Sequence, residues 1–509
     1  MPLLPLELPP GMYKNGTPYT RRARWTDGNL VRWHDGSIRP LGGWTQRADV
    51  SGVAIPALIA DATLEAVRDV FAWRDNDQDR NVVFGSNLAA YHMNTAGTVT
   101  NITYAGYTAT NVTKDADITV GYGENPYGSG QYGTENNLSG ADPTPPNRWY
   151  FSNFGEILLF GSRNNAGLYE YDQNTGVTSA VSGAPDQAQD VCVTEQRQVM
   201  LIGGGGQPRR LQASEIEDRT SWTAATSNQV VDRVIPGSGR LLRCLPVLRQ
   251  TLLLGESDAH VVRYIGPPYV YSVDLEGTNC GPLAAEAVVS TDRFAAWWGE
   301  RTFWIYDGAI QPLSCDVIDF LYTDLDLDQV SKISATSNTN FNEVTWLYQS
   351  TSTTTTELDS YVTWNYVSNH WTVGRIDRTA ALDSGVLNGM IMISSGGVIY
   401  NHELDGVIPD GTTFVESGAI DLAGGEKNMA VRYIYPDTEA TAGTAFTLIA
   451  RQLPNDTEYS YGPYAFQSNN PIPTRALGRS IKLRVDFTTA EAELGTVRFD
   501  IAPIGTGKR

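Results

Sequence analysis

This sequence has few of the features that indicate a secreted, membrane-spanning or disulfide-linked protein. Only four cysteines occur in 509 residues, and they are far apart with no CxxC pair. We therefore expect reduced, buried thiols rather than a disulfide framework or a redox site. No run approaches the roughly 18 apolar residues of a transmembrane helix, so we expect no membrane span. The cysteines are Cys192, Cys244, Cys280 and Cys315.

Residue patterns that carry catalysis or bind metals are also missing. The five histidines are dispersed, without the HExxH spacing of a zinc site, and there is no GxSxG nucleophile motif. Asp324, Asp326 and Asp328 resemble the start of a calcium loop. However, Gln329 stands where an EF-hand needs glycine, and Ala335 stands where it needs the bidentate glutamate. We therefore predict no enzymatic activity, no catalytic residue, no cofactor and no metal site.

Positive charge is in the minority. The 37 lysines and arginines face 57 aspartates and glutamates, which gives a net charge of −20. An acidic chain is a poor general binder of nucleic acid, because that affinity comes mainly from neutralising phosphates. The same charge suits a surface past which DNA slides without sticking, and it also keeps a large protein soluble. Charge alone leaves both interpretations open.

Short strands and tight turns are abundant instead. The run TDRFAAWWGERTFWIYDGAIQPL at 291–313 predicts three strands, at 294–298, 302–306 and 309–313. Asp307-Gly308 is typical of a two-residue hairpin turn in which both residues have positive φ. Three antiparallel strands joined in this way form a meander about the size of one propeller blade. A single meander cannot bury both its faces, whereas a ring of copies can.

Similar units recur along the chain, while helical periodicity is nearly absent outside residues 186–219. From residue 155 onward the first strands of these units are centred about 40 to 55 residues apart, the range of four-stranded blades. We predict an all-β protein whose main part is a β-propeller-like ring of antiparallel blades. A series of ordinary hairpins, such as stacked sandwiches, is the alternative. The units lie near 81–100, 155–177, 198–223, 249–273, 342–373 and 389–400.

The composition changes twice and predicts three regions. Residues 1–60 are dense in turns and predict an N-terminal hairpin or arm region that closes or docks on the ring. Residues 61–406 predict the propeller-like domain, interrupted at 101–147 by a Gly- and Tyr-rich insertion that is long for a loop. Five alternating runs predict a β-sandwich-like domain at 407–509. These runs are FVESGAIDL, VRYIYP, TAFTLIARQL, IKLRVDF and TVRFDIAP.

The N-terminal region is the most basic part of this acidic chain. Its arginines are candidate partner-docking residues that would meet an acidic partner or DNA. The alternative is a solvated face, with the arginine stems packed on nearby tryptophans. The candidates are Arg21, Arg22, Arg24, Arg32 and Arg39.

The insertion supplies a second group of candidate docking residues. Tyr122, Tyr127 and Tyr132 recur at a spacing of five, which suits neither a helix nor one face of a strand. Tyrosine offers a large contact area at low cost in conformational entropy, so a docking loop is the functional interpretation. A surface loop with no partner is the alternative.

Several runs, in their order along the chain, resemble the tail nozzle proteins of short-tailed bacteriophages. This family is also called tail hub protein, tail tubular protein B or packaged-DNA stabilisation protein. The resemblance covers most of the chain. It rests on KNGTPYTRRARWTDGNLVRWHDGSIRPLGGW, the Tyr-Gly triplets, FGEILLF, WWGERTFWIYDG, NFNEVTWLYQS, YVTWNYVSNHWTVGRIDRTA, YNHELDG and, near the end, ESGAIDL, GRSIKLRV and LGTVRFDI.

The resemblance implies a structural role in the virion tail, with assembly in the host cytoplasm. Six copies would form a ring below the adaptor ring that is bound to the portal. They would retain packaged double-stranded DNA, contact it transiently and without sequence preference, and let it pass at infection. Tail fibres or tailspikes and a plug or needle would dock on them, and the N-terminal arginines would contact the adaptor. The alternatives are a glycan-binding receptor-recognition tail protein and a propeller enzyme or adhesin of a host.

Deleting residues 121–133 tests whether the insertion docks a partner. We expect the deletion to leave the fold intact, because a loop insertion contributes little to a propeller core. We also expect virus carrying it to lose fibre docking or DNA retention, measured as infectious titre and as packaged DNA per particle. Normal infectivity of the deletion virus would contradict the docking role.

Overall fold

A computed structural model describes residues 3–109, 111, 113–116, 145–163, 167–353, 356–421, 427–438, 443–453, 456–467 and 471–506. Within these residues nearly all of the regular secondary structure is β-strand, which confirms the predicted all-β class. None of the helices in this part of the chain is long and apolar enough to cross a membrane. All four cysteines are buried, and none is in a disulfide.

The first 46 residues contribute five short strands that go to four different sheets. Strands β1 and β2 join the two C-terminal sheets, β3 and β4 pair only with each other, and β5 joins the last propeller sheet. This segment therefore connects every part of the molecule. The strands are β1 (Leu3–Leu6), β2 (Trp25–Asn29), β3 (Val31–His34), β4 (Ser37–Pro40) and β5 (Gly43–Gln46).

Six four-stranded antiparallel sheets follow in chain order, each built from four consecutive strands. Blade 1 contains β6 (Val67–Arg74), β7 (Arg80–Ser86), β8 (Ala90–Met93) and β9 (Val99–Asn101). Blade 2 contains β10 (Trp149–Phe154), β11 (Ile157–Ser162), β12 (Tyr169–Asp172) and β13 (Val177–Ala180). Blade 3 contains β14 (Asp190–Val193), β15 (Val199–Ile202), β16 (Arg210–Ala213) and β17 (Val231–Val234), with a 3₁₀ turn at Gly204–Gly206.

The next three blades complete this series. Blade 4 contains β18 (Leu241–Val247), β19 (Gln250–Gly255), β20 (Asp258–Gly266) and β21 (Val270–Thr278). Blade 5 contains β22 (Val288–Ser290), β23 (Ala295–Trp298), β24 (Phe303–Tyr306) and β25 (Ile310–Leu313). Helix α1 (Ile318–Asp324) and a 3₁₀ helix (Leu327–Lys332) lead to blade 6, which contains β26 (Ser334–Asn338), β27 (Glu343–Tyr348), β28 (Ser360–Asn365) and β29 (His370–Arg375).

Blade 7 takes three strands from the end of the propeller and one from the N-terminal segment. Its strands are β30 (Ala380–Leu382), β31 (Ile391–Ile393), β32 (Ile399–Leu404) and then β5. The first strands of consecutive blades contact each other, and β30 of blade 7 contacts β6 of blade 1. The sheets therefore form a closed, seven-bladed propeller.

The meander predicted at 291–313 forms strands β23 to β25 of blade 5, each beginning one residue later than predicted. The sequence did not reveal β22, the short fourth strand of this blade. The predicted turn is different, because only Gly308 has a positive φ (120°) and Tyr306 pairs with Ile310 across three residues. No α-helix forms at 186–219, where three strands of blade 3 lie.

Two C-terminal sheets share one hydrophobic core and form the predicted sandwich-like domain. The first has the order β1-β40-β35-β38, and the second has the order β2-β33-β39-β36-β37 with β34 beside β39. An N-terminal strand thus forms an edge of each sheet. The strands are β33 (Thr413–Ser417), β34 (Ile420–Asp421), β35 (Lys427–Tyr435), β36 (Thr444–Arg451), β37 (Tyr459–Ala465), β38 (Ile472–Gly478), β39 (Ser480–Phe487) and β40 (Val497–Thr506).

One hydrophobic core joins the sandwich to blades 5 and 6. The N-terminal segment lies between them and buries Met12, Trp25 and Trp33 in the same cluster as Trp371 of blade 6 and Phe446 of the sandwich. Backbone hydrogen bonds reinforce this packing, since the Met12 amide donates to the Trp371 carbonyl at 2.7 Å. Burial of this many aromatic side chains dominates the energetics of the junction.

Strand β5 closes the ring through an aromatic stack and a close backbone approach. The Trp44 ring stacks on His402 of β32 at 4.9 Å, and the Arg378 guanidinium lies 4.8 Å from the Trp44 ring. Gly43 donates its amide to the Val407 carbonyl at 2.8 Å. A Cβ on Gly43 would lie well inside contact distance of that carbonyl, so this position has no room for a side chain.

Substituting Gly43→Ala tests this closure. The added methyl group must push β5 away from the backbone at Val407, and overpacking of this kind destabilises proteins by about 1 to 3 kcal/mol. We expect a loss in that range in urea unfolding. Gly389→Ala is the matched control, because a Cβ at Gly389 in the same blade meets open space, and we expect it to change stability by less than about 0.5 kcal/mol. Equal effects of the two substitutions would contradict the proposed packing.

Candidate functional site

Charged side chains gather at one end of the propeller axis, where the first strands of all seven blades begin. These strands run in the same direction around the axis, so residues at their starts meet at one end. Each of blades 1 to 6 places at least one charged residue there. The residues are Arg68 and Asp69 in blade 1, Arg148 before blade 2, Asp190 in blade 3, Arg243 in blade 4, Glu286 before blade 5 and Lys332 before blade 6.

Arg148 crosses the axis. Its Nε donates to Asp69 Oδ1 at 3.0 Å in the neighbouring blade 1. Its Nη1 donates to the carbonyls of Ser331 and Ile333, at 3.1 and 2.9 Å, just before and at the entry to blade 6. Blades 2 and 6 are not neighbours in the ring. The guanidinium therefore occupies the axis itself and ties opposite sides of the propeller together.

A second group links blades 2 to 5 through two arginines and two carboxylates. Arg243 Nη1 lies 2.8 Å from Glu286 Oε1 and 3.2 Å from Asp190 Oδ1. Arg163, which follows β11, pairs with the same two carboxylates. Burial favours the neutral form of Glu286, but the guanidinium groups of Arg243 and Arg163 outweigh it and lower the pKa of Glu286 to about 2. The carboxylate thus stays ionised and bound between its arginines.

A third group anchors the base of the insertion at the same end of the axis. The Lys332 ammonium is fully buried and donates to Asp115 Oδ1 and to the Thr356 carbonyl, both at 2.5 Å. Arg68 Nη2 donates to Glu357 Oε1 at 2.5 Å and to the Lys114 carbonyl at 2.6 Å. The described residues at the base of the insertion are therefore held at this end of the propeller. Its candidate docking residues, Tyr122, Tyr127 and Tyr132, lie outside the described residues.

The five N-terminal arginines do not form one surface. Arg32 is only 3% exposed, and its guanidinium makes paired hydrogen bonds to Glu343 of blade 6 and Glu403 of blade 7, at 2.7 to 2.9 Å. Arg32 is therefore a buried cross-link rather than a docking residue, which corrects the expectation from sequence. Arg39 is half-buried and donates to His34 Nδ1 at 2.8 Å.

The other three arginines lie on the exposed turn that precedes β2. Arg24 is exposed, with its guanidinium 5.6 Å from the Tyr13 ring. Arg21 and Arg22 line a pocket of about 320 Å³ between this turn and the edge of the sandwich. Three further cations of the pocket, all missed in the sequence, come from β36, β39 and the turn before β39. They are Arg451, Arg479 and Lys482.

No local pattern in the sequence marks these three residues as part of a binding site. Each is a single charged residue in or beside a strand, a pattern that indicates a solvent-facing position. Their proximity to Arg21 and Arg22 depends on the pairing of β2 with β33, a long-range contact that brings the N-terminal turn to the sheet containing β36 and β39.

Two of the three aspartates that resemble a calcium loop have other roles. Asp324 Oδ1 accepts from Arg375 Nη2 at 2.8 Å, and its Oδ2 accepts from the Tyr348 hydroxyl at 2.9 Å. Asp326 caps the following 3₁₀ helix by accepting from the Asp328 amide at 3.0 Å. In the described part of the chain, no group of three or more His, Cys, Asp or Glu side chains is placed to hold a metal ion.

These features define a seven-bladed propeller protein with an interlocked C-terminal sandwich. No family model matches the chain, and no curated protein matches it in sequence. A chain of the Mitotic Checkpoint Complex is similar to it, with 12% identity and a TM-score of 0.39, over 72% of this chain and 98% of that one.

Two further solved structures are similar in the same way. Virginiamycin B lyase from Staphylococcus aureus has 7% identity and a TM-score of 0.41, over 69% of this chain and 98% of that one. The β-propeller domain of Cps50 (Swd1) from Myceliophteria thermophila has 6% identity and a TM-score of 0.37, over 67% of this chain and 99% of that one. At these identities the similarity concerns the fold alone.

Substituting Glu286→Gln tests the ion pairs at the axis. Removing this carboxylate leaves two buried arginines with Asp190 as their shared acidic partner, and we expect a loss of about 3 kcal/mol near neutral pH in urea unfolding. The folded pKa of about 2 lies below the ordinary value of 4.5, so the stabilisation by ionised Glu286 is complete above 4.5 and is lost as the pH falls toward 2. The stability of the variant should therefore depend less on pH across this interval.

The matched control is Glu195→Gln. Glu195 is about half exposed and faces an exposed arginine at 3.8 Å, a pair expected to contribute less than about 1 kcal/mol. If Glu286→Gln kept both the stability and the pH dependence of the unaltered protein, the axial ion pairs would have no structural role.

Proposed function

We propose that this chain is a structural subunit of the tail nozzle of a short-tailed bacteriophage. In this proposal six copies form a ring in the virion tail, below the portal and its adaptor ring. The ring retains packaged DNA, lets it pass at infection, and carries tail fibres or tailspikes and a plug or needle. The observation that carries the proposal, together with the sequence resemblance, is the interlocking of propeller and sandwich by the N-terminal segment.

Interlocking suits a protein that must keep its shape under load. Domains of one chain ordinarily move relative to each other unless their interface is large and hydrophobic. Here β1 and β2 lie in the sandwich, while β5 completes the propeller, so separating the two parts requires several strand ladders to break together. Asn29 adds a direct link, since its Nδ2 donates to the Thr412 carbonyl at 2.8 Å and its Oδ1 accepts from the Arg375 amide at 2.7 Å.

The closed axis favours a channel between copies rather than through one propeller. Arg148 and the other axial side chains bind each other across one end of the ring of blades. A DNA duplex therefore has no path along the axis of a single subunit. A ring of subunits joined head to tail would provide the path, because heterologous contacts that close generate a cyclic assembly.

The charge of the chain is consistent with this role. With a net charge of −20, the surface as a whole repels a polyanion, so DNA would not be trapped through phosphate neutralisation. Contact with DNA would then be transient and independent of sequence.

Immunogold electron microscopy of intact virus particles tests the proposal. An antibody against this chain should label one vertex of each particle, at the distal end of the tail, and averaging of labelled tails should show sixfold symmetry. An antibody against the major shell protein is the control, and it should label all faces. Label along fibres, combined with binding of the chain to a glycan array, would favour a receptor-recognition protein instead. Label on no particle would contradict a virion role altogether.

A further inference from the structure

We propose that the pocket between the N-terminal turn and the sandwich, the basic pocket, binds an acidic peptide segment of a protein partner. Its lining cations come from the turn before β2 and from the adjoining sandwich strands. This inference goes beyond the nozzle role, because it assigns a binding site and a ligand class without requiring a virus. The cations are Arg21, Arg22, Arg451, Arg479 and Lys482.

The pocket concentrates positive charge on a strongly acidic chain. Asp421 is the one acidic residue in the lining, and it pairs with Arg22 at 2.8 Å. Two neighbouring carboxylates neutralise part of the remainder, since Lys482 lies 2.9 Å from Glu416 and 3.1 Å from Glu458, and Arg451 lies 2.5 Å from Glu458. Among the residues that the structure describes, five cations against three carboxylates leave a net positive charge in the pocket. The existing pairs also show that these cations already stand in the geometry that a carboxylate requires.

Apolar side chains at the rim favour a peptide over a simple anion. Tyr19 and Leu453 line the pocket and are 56% and 57% exposed, which leaves apolar area for a ligand to cover. The Arg22 guanidinium lies 4.2 Å from the Tyr19 ring, and this stacking holds the cation in place before binding. In a bound peptide, acidic residues would pair with the cations, and leucines alternating with them would cover the apolar rim.

Shape and charge argue against nucleic acid. A volume of about 320 Å³ accommodates a few side chains. Duplex DNA instead requires an extended basic surface that follows its backbone, and this chain is acidic overall. A phosphate backbone would also leave the apolar rim uncovered.

Fluorescence anisotropy with the full-length chain tests the proposal. The probe is a fluorescein-labelled peptide containing Asp-Leu-Asp-Leu-Asp, and the competitors are the Asn-Leu-Asn-Leu-Asn peptide, inorganic phosphate and a DNA duplex. We expect the acidic peptide to bind and the Asn peptide to bind at least about tenfold more weakly, since charge-assisted hydrogen bonds contribute roughly 1.4 kcal/mol or more. Displacement by the duplex in preference to unlabelled acidic peptide would overturn the proposal in favour of a nucleic-acid site. Equal binding of the Asn peptide would overturn any role for the cations.

The double variant Arg22→Gln/Lys482→Gln locates the site. We expect it to weaken peptide binding by about tenfold or more, because it removes two of the cations that meet the carboxylates. The control is Arg240→Gln/Arg249→Gln, which removes the same charge from arginines that are 50% and 87% exposed in blade 4. Equal weakening by both variants would show a general charge effect and overturn the site.

A measurement on the unaltered protein covers the case in which the pocket variant does not fold. Phenylglyoxal modifies accessible arginines, and mass spectrometry reports each position. We expect the acidic peptide to slow the modification of Arg22 at least about tenfold more than that of Arg249, because the bound peptide covers the pocket. Equal modification of Arg22 with and without saturating peptide would overturn the proposal.

Discussion

The whole structure depends on the pairing of β5 with β32. Without β5, blade 7 would expose the hydrogen-bonding edge of β32, and the ring would have a seam held only by side-chain packing. Because β5 lies only a few residues after β4, closure also fixes where the N-terminal segment must run. The same segment then has to lie along blade 6 and deliver β1 and β2 to the sandwich. One strand pairing therefore determines how propeller and sandwich sit together.

Buried charge is the second constraint. Arg148, Arg163 and Lys332 lie where the first strands converge, and desolvating them is unfavourable unless each finds a partner. Each is paired with a carboxylate from another part of the chain, and Arg148 reaches across the axis. Such pairs contribute more to specifying which blades meet than to net stability. They also close one end of the axis, which is why the proposed role relies on surfaces between molecules.

Local patterns in the sequence predicted most strands but missed some for identifiable reasons. The five alternating runs after residue 406 correspond to β33 with β34, β35, β36, β39 and β40. Strands β37 and β38 contain Pro463 and Pro473, and proline makes a run look like a turn. Both are edge strands of their sheets, the position where proline is tolerated. The arginine cluster shows the opposite error. Arg32 is of a residue type usually found at the surface, but it is buried against Glu343 of blade 6 and Glu403 of blade 7.

The sequence by itself determined the all-β class, the blade-sized meanders, the C-terminal sandwich and the acidic character, because each depends on residues that are neighbours along the chain. Only the tertiary structure decided the number of blades, the closure by β5, the ion pairs at the axis and the gathering of Arg21 and Arg22 with cations of the sandwich. These features join residues that lie from tens to hundreds of positions apart. Their energies come from burial and pairing across sheets, which no local periodicity records.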